Sequence, residues 1–540
     1  MLVNPGRGRT FLAIFGVLTL LLASIAGITA TTRSTRAAED ALVLGVDISD
    51  TRTLDPHRQF DYSPPITEHA IYETLVTMDP GDYTTVKPLL ATEWELADDG
   101  AAWVFHLRPD VKFVSGNPMT ADDVKFSFDR LVNLKDNPAA LAENLKSVEV
   151  VDEQTVKLVM NDKTQPLLNI LISPNFAVID AKTAQEHGAT SAVGADKDDT
   201  ATEWLNAHSI GTGPYELSAW DRNSQIVLTA NPNYWRAAPA FPRVVIRHMG
   251  DSAAQVLALQ RGDIDAALNL TPEQIDSVSS DPNVAVEKGT SLDFIYMTLT
   301  SNAEQSPGLS NQAARQAVAA AIDYDGIIDG LMGGNATRPP TFIPVGLAGI
   351  TPELVTEIGY QLNPDKAKQL LADAGLADGF SFDLYYANAA VAGVNYQTVA
   401  QKIQADLSAV GITVNLKPTD QTQLVTEYRA GHLPSVMTFW NPDAPEPCLW
   451  AAASVQRVAT RVGWTPPDSL LQTVTDACGA PDEAKRNDLY LDYQRQLVDQ
   501  ANYIILAQPI YRVATQTSIT GYQLTAAGWQ VNLYDIKPAA

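Results

Sequence analysis

A chain of 540 residues cannot bury all its apolar side chains in one hydrophobic core. Single cores stop growing at about 250–300 residues, so the length implies roughly three to four domain-sized units. Hydrophobic residues make up 45% of the chain and charged residues 19%, the balance of a folded protein rather than a disordered one. The net charge of −26 argues against nucleic acid and anionic membrane as main partners, because both repel it. No tandem repeat and no low-complexity tract occurs.

The N-terminus carries an address. Arg7 and Arg9 precede the apolar run FLAIFGVLTLLLASIAGI, residues 11–28, and no acid occurs before Glu39. A basic start, an apolar run and small residues form an export signal, with cleavage expected after Ala30 or Ala37. Removing residues 1–37 takes four arginines and no acid, leaving 33 basic and 63 acidic residues, a balance of −30. The run is long enough to serve instead as an uncleaved membrane anchor. No cysteine stands near it to carry a lipoprotein anchor. The expected location is the periplasm or the outside of the cell envelope. The two cysteines, Cys448 and Cys478, are expected to pair in an exported chain; two buried thiols are the alternative. The seven histidines are scattered, and none sits at ligand spacing with a cysteine, so no metal or other cofactor is expected.

Local patterns give an α/β chain. Leu42, Val43, Leu44 and Val46 form a short strand, and apolar residues 66, 70, 71 and 75 have helical spacing. ATEWEL and AAWVFHL, joined by turn chemistry, read as a hairpin. Thr120 and Asp123 can cap a helix over residues 121–131. SVEVVDEQTVKLVM is a second strand pair, and residues 211–235 hold a third. VVIRHM, SAAQVLALQRGDID and AAL then alternate strand, helix and strand, as in an α/β unit. After the strand LDFIYMTL the pattern restarts in a second α/β unit that runs to about residue 510. In it, Asn363, Pro364 and Gly375 punctuate one helix.

The order of these pieces resembles one family: the large solute-binding proteins of bacterial ABC importers that carry peptides, dipeptides or nickel. The matching stretches are LDPH (54–57), IYETLV (71–76), LLATEWELADDGAAWVFHLRPDVKF (89–113), MTADDVKFSFDRL (119–131), GTGPYEL (211–217), NPNYW (231–235), ALQRGDID (258–265), ARQAVAAAID (314–323) and NPDKAKQLLADAG (363–375). The resemblance implies a two-lobed periplasmic-binding-protein fold of the large, type II-like class. The first lobe would be discontinuous, at about 41–72, 210–298 and 513–540. A domain of about 73–209 would be inserted in it, and the second lobe would span 299–512. Two chain crossings would join the lobes, which close on the ligand like a hinge. A membrane permease would be the partner, and a monomer is expected.

The resemblance also gives meaning to VMTFWNPDAPEPCLW, residues 436–450. In peptide-binding members such a tryptophan-to-aspartate segment lines the cleft, and its acid pairs with the α-amino group of the peptide. Trp440, Asp443, Glu446 and Pro447 match, with Asn441 as an addition. A charged amine taken out of water must be paired, and a rigid acid loses little entropy on binding it. Prolines 442, 445 and 447 are expected to hold the loop extended. The stretch after LDPH faces the ligand in the family; here it is Arg58, Gln59, Phe60, Asp61 and Tyr62. Phe60 and Tyr62 are candidates for stacking and Asp61 is a second candidate acid, with core packing the alternative for the two rings. Phe294 and Tyr296, at the expected lobe crossing, are assigned one to the cleft and one to the core. No basic residue directly precedes Trp440 to hold a peptide carboxylate; Arg429, Arg457 and Arg461 are more distant. A longer peptide or another cationic ligand would need no such clamp.

The expected function is therefore capture of di- or oligopeptides for import. Oligosaccharide, opine or a nickel complex on the same fold is the alternative. An exported hydrolase using Asp443 and Glu446 as an acid pair is the rival from another class. No G-x-S-x-G, H-E-x-x-H, P-loop or dinucleotide fingerprint supports an enzyme.

Overall fold

A computed structural model describes residues 41–540 apart from 84, 98, 163–165, 389, 392–393, 441–443, 481 and 526–530. The expected export signal, Asn441 and Asp443 lie outside the described residues.

Among the described residues the largest sheet has twelve strands. From one edge ten of them run Ile412–Thr419, Phe380–Ala387, Ser435–Trp440, Phe294–Leu299, Tyr503–Gln516, Ala266–Ala267, Ala41–Val46, Arg243–His248, Gln225–Ala230 and Tyr215–Asp221, while Val284–Thr290 and Ala336–Thr337 pair with Tyr503–Gln516 off this path. Strands from the two α/β units thus occupy opposite ends, and one strand joins them. Residues 503–507 of that strand pair antiparallel with Phe294–Leu299. Residues 510–516 pair with Val284–Thr290, and Ala514 and Thr515 also face Ala267 and Ala266. The chain crosses once through Val284–Thr290 into Phe294–Leu299 and returns through Tyr503–Gln516. The fold is the two-lobed α/β architecture, with hydrogen-bonded strands at the seam.

Burial follows the same division. One core gathers Leu42, Leu44, Ile66, Ile71, Tyr215, Ile246, Val513 and Leu533. A second covers the other face of the same sheet with Val43, Leu259, Ile264, Ile275 and Ala514. A third is built from Leu75, Phe105, Phe113, Val124, Phe128, Leu158 and Phe176 around a separate four-stranded sheet. The largest holds Tyr296, Val318, Leu384, Ile403, Trp450, Tyr493 and Ile504.

The punctuation read from sequence works locally. The Asp123 carboxylate accepts the Thr120 N–H at 2.9 Å at the start of Ala121–Leu134. Asn363 accepts the Lys366 N–H at 2.9 Å, with Pro364 in the first turn of its helix. The helical spacing at residues 66–75 gives only Pro64–Ile71, because Tyr72 turns to extended backbone and Val76–Thr77 is a strand. GTGPYEL owes its glycines to a close approach. A Cβ on Gly213 would stand 2.6 Å from the Ala70 carbonyl oxygen and 2.7 Å from the Ile71 carbonyl carbon. Both contacts are backbone, so nothing soft can yield. Gly213→Ala should cost about 1–3 kcal/mol by overpacking, read as a lower urea midpoint with unchanged slope; an unchanged midpoint would mean that the helix end shifts freely.

Candidate ligand-binding site

The seam between the lobes brings several of the expected residues together. Phe294 faces Trp440 in the antiparallel register of their strands. Trp440 is therefore the last residue of a strand, and the proline-rich segment starts after it. Its ring meets Phe342 edge-on, with centroids 5.2 Å apart. The Arg457 guanidinium lies 5.9 Å from the Trp440 ring centroid, at the limit of a cation–π contact. Arg461 lies over Tyr428, 5.1 Å from its centroid.

Phe294 and Tyr296 correct the expectation that one faces the cleft and the other the core. Both are buried, and their rings touch edge-to-face at 5.7 Å. Residues two apart on a strand point to the same face, so they cannot divide their roles. The Tyr296 hydroxyl bonds that of Tyr428 at 3.1 Å.

From the first lobe, Phe60 is 39% exposed and Tyr62 43% exposed, so neither is a core residue. Asp61 is taken by Arg52, whose Nε lies 2.9 Å and Nη2 2.6 Å from the carboxylate oxygens. The chain bends here because Asp50 accepts the backbone N–H groups of Tyr62 and Ser63 at 2.8 and 3.0 Å. Tyr62 shows open surface, yet burial and then the charges of Asp293 and Asp50 raise its phenol above the ordinary value.

Glu446 has a structural duty. Its carboxylate accepts the Cys448 N–H at 3.2 Å, capping the helix Pro447–Val455. It also accepts Asn169 Nδ2 at 2.7 Å, a bond from the second lobe to the region around the four-stranded sheet. The prolines do not stay extended throughout, since Pro447 opens that helix. Cys448 and Cys478 form a disulfide with their Cα atoms 5.2 Å apart. It ties the start of this helix to the end of Asp468–Gly479.

Sequence reasoning does not single out Asp293. It sits between the two strand segments of the first crossing and is 4% exposed. Its backbone N–H donates to Ser291 Oγ at 2.8 Å, and its carboxylate takes a very short hydrogen bond from the Tyr511 hydroxyl on the return crossing. Burial pushes this carboxyl up to about 7. One sign was available in the sequence: a lone acid heading an otherwise apolar strand.

Three comparisons place this geometry among known proteins. The model of bacterial extracellular solute-binding proteins, family 5, matches residues 85–454. The chain belongs to that family. Among its relatives in the family, a probable D,D-dipeptide-binding periplasmic protein of Escherichia coli is 29% identical, over 90% of this chain and 91% of the relative. A di/tripeptide-binding protein of Pseudomonas aeruginosa is 27% identical, over 87% and 90%. A similar fold is seen in the ABC transporter-associated periplasmic binding protein of Helicobacter pylori solved with the peptide STSA, with a TM-score of 0.73 at 23% identity, over 93% of this chain and 98% of that one.

Proposed function

We propose that this protein is the solute-binding component of an ABC importer, which captures di- or oligopeptides between its lobes and delivers them to a membrane permease. It works as an exported monomer, in the periplasm or at the envelope exterior, and needs no cofactor. One observation carries the reading of the site: Trp440 ends its strand opposite Phe294 on the crossing, and Asp443 stands three residues later in the sequence. The peptide class is supported by the relatives, whose names specify dipeptides and tripeptides. Asp443 pairs with the peptide α-amino group, with Asn441 beside it, and Trp440, Phe60 and Tyr62 supply aromatic contacts. Asp61 is not part of this constellation, because Arg52 already neutralises it.

For the division into a first lobe of 41–72, 210–298 and 513–540, an inserted domain of 73–209 and a second lobe of 299–512, the core around Leu75 and Phe113 supports a separate inserted unit, while Phe126, Ile179, Ala184 and Leu205 pack into the core around Leu42, and Leu292 and residues 294–297 into the core of the second α/β unit. Binding rather than hydrolysis is supported by Glu446, which caps a helix and so cannot serve with Asp443 as a free acid pair.

A thermal-shift series tests the reading. Di-, tri- and pentapeptides with free amines at about a hundred times their dissociation constants should stabilise the wild type by about 2.7 kcal/mol. Asp443→Asn should lose most of that shift. Stabilisation by oligosaccharides or nickel complexes, with none by peptides, would overturn the peptide assignment.

A further inference from the structure

Three polar groups at the seam lack the partners their burial demands. Asp293 is the first: among the described residues no cation lies within salt-bridge distance of its carboxylate. A buried carboxylate without a counter-charge is costly, and proteins otherwise pair it. Tyr396 is the second. It is 1% exposed, its hydroxyl has no hydrogen-bond partner among the described residues, and the charge of Asp293 reaches its phenol. Tyr522 is the third, 4% exposed, with an unpartnered hydroxyl in electrostatic range of Tyr62. Orphaned buried polar groups are uncommon in folded proteins, and each calls for a reason.

The three come from different parts of the chain. Tyr62 and Tyr522 belong to the first-lobe segments, Tyr396 opens the second-lobe helix Tyr396–Ser408, and Asp293 and Tyr511 lie on the two crossings. They converge on one acid. Tyr511 and Ser291 bond Asp293, the charge of Asp293 acts on the phenols of Tyr62 and Tyr396, and Asp50 and Tyr522 act on Tyr62 in turn. None of them is a cation. Tyrosine rings around a carboxylate are a setting that favours a positive guest, since ring faces attract cations and phenol oxygens accept N–H donors.

We propose that Asp293, with Tyr62, Tyr396 and Tyr511 around it, is a second cation subsite at the seam, which takes the ammonium or guanidinium at the end of a flexible arm. The inference rests on the peptide reading and deepens it: the preferred peptides carry a lysine-like or arginine-like side chain in addition to the free amine at Asp443. The strongly acidic chain favours the same charge class, and its field draws cations toward the protein.

Calorimetric titration tests this with tripeptides bearing lysine at each position in turn, their norleucine counterparts, and 1,5-diaminopentane. The variants are Asp293→Asn, which keeps a group for the Tyr511 hydroxyl, and Tyr396→Phe, which removes only the orphaned hydroxyl. In the wild type one lysine position should bind at least about tenfold tighter than norleucine, and Asp293→Asn should erase the difference while still binding the norleucine peptide. The lysine preference should also weaken about tenfold from pH 8 to pH 6, as Asp293 takes up its proton near pH 7; a merely structural Asp293 would not move that ratio. Equal binding of lysine and norleucine peptides would overturn the subsite and leave the peptide reading standing. Binding of the diamine alone, lost in Asp293→Asn, would uphold the subsite and remove the peptide reading. Binding of none of these probes would remove both.

Discussion

Arg130→Met should lower the unfolding free energy by about 3–5 kcal/mol at pH 7, the cost of leaving a buried charge without its partner. Arg130 is fully buried on the helix Ala121–Leu134. Its Nη1 and Nη2 lie 2.8 and 2.7 Å from the two Asp55 oxygens. Its Nε and Nη2 reach the Asp199 oxygens at 2.8 and 3.0 Å. The remaining donor on Nη1 goes to His57 Nδ1 at 3.0 Å. All five guanidinium donors are then used, and His57 must be neutral, with its Nε2–H donating to the Ala177 carbonyl at 3.1 Å. Methionine would fill part of the space and leave two carboxylates facing each other. The readout is urea unfolding of variant and wild type; a loss below about 1 kcal/mol would mean that water replaces the guanidinium.

The same cluster sets a pH dependence with a defined sign. Burial, and then Arg130, lower His57 from 6.5 to about 4. Between these values the unfolded chain binds more protons, so this contribution is complete above pH 6.5 and is lost as the pH falls toward 4. For Asp55, burial pushes upward, but Arg130 outweighs it and holds the carboxyl at about 2, below 3.8. Its contribution is complete above pH 3.8 and is lost as the pH falls through 2. In Arg130→Met the Asp55 contribution should shrink, because the main cation that holds the acid low is gone and only Arg58, at 3.7 Å, remains.

Replacing both cysteines, Cys448→Ser with Cys478→Ser, should cost about 3 kcal/mol, the entropy that a cross-link over a loop of this size removes from the unfolded chain. The bond closes a separation of 30 residues. That loop carries the helix capped by Glu446 and both Arg457 and Arg461, which lie over Trp440 and Tyr428. The loss should appear as a lower thermal midpoint, and a reductant should produce it in the wild type but not in the double variant. A reductant effect on both proteins would show that it acts elsewhere.

The family resemblance was legible because its motifs are scaffold. LDPH recurs as a phrase since Leu54 is core, Asp55 and His57 hold Arg130, and the Pro56 carbonyl accepts Asn175 Nδ2 at 2.7 Å. The glycines of GTGPYEL lie against helix backbone. Such residues answer to local geometry, which short patterns record. The site is harder to read because it is assembled from afar. Asp293 gains its character from Tyr511 on another strand and Tyr396 on a helix, and no sequence period connects the three. Asp61 looked free in sequence because its partner Arg52 reaches it only through the bend at Asp50. The crossing strand Tyr503–Gln516 was missed as a unit. It contains Pro509, and it is apolar without alternation because both its faces are covered along much of its length.

That strand also governs the order in which the molecule can be finished. Ala41–Val46 pairs with Ala266–Ala267, which pairs in turn with Thr515 and Ala514, while among the described residues Val284–Thr290 pairs only with Tyr503–Gln516. A ribosome that has passed the middle of the message has therefore made a chain with an open sheet edge on each side of the seam. Local helices and the four-stranded sheet can form early, since their contacts are short in sequence. The seam itself waits until residues 503–516 have been translated. A product cut short before residue 503 has no joined lobes and exposes two strand edges, the feature that invites proteolysis and aggregation. Synthesis of that one strand and assembly of the seam are a single event.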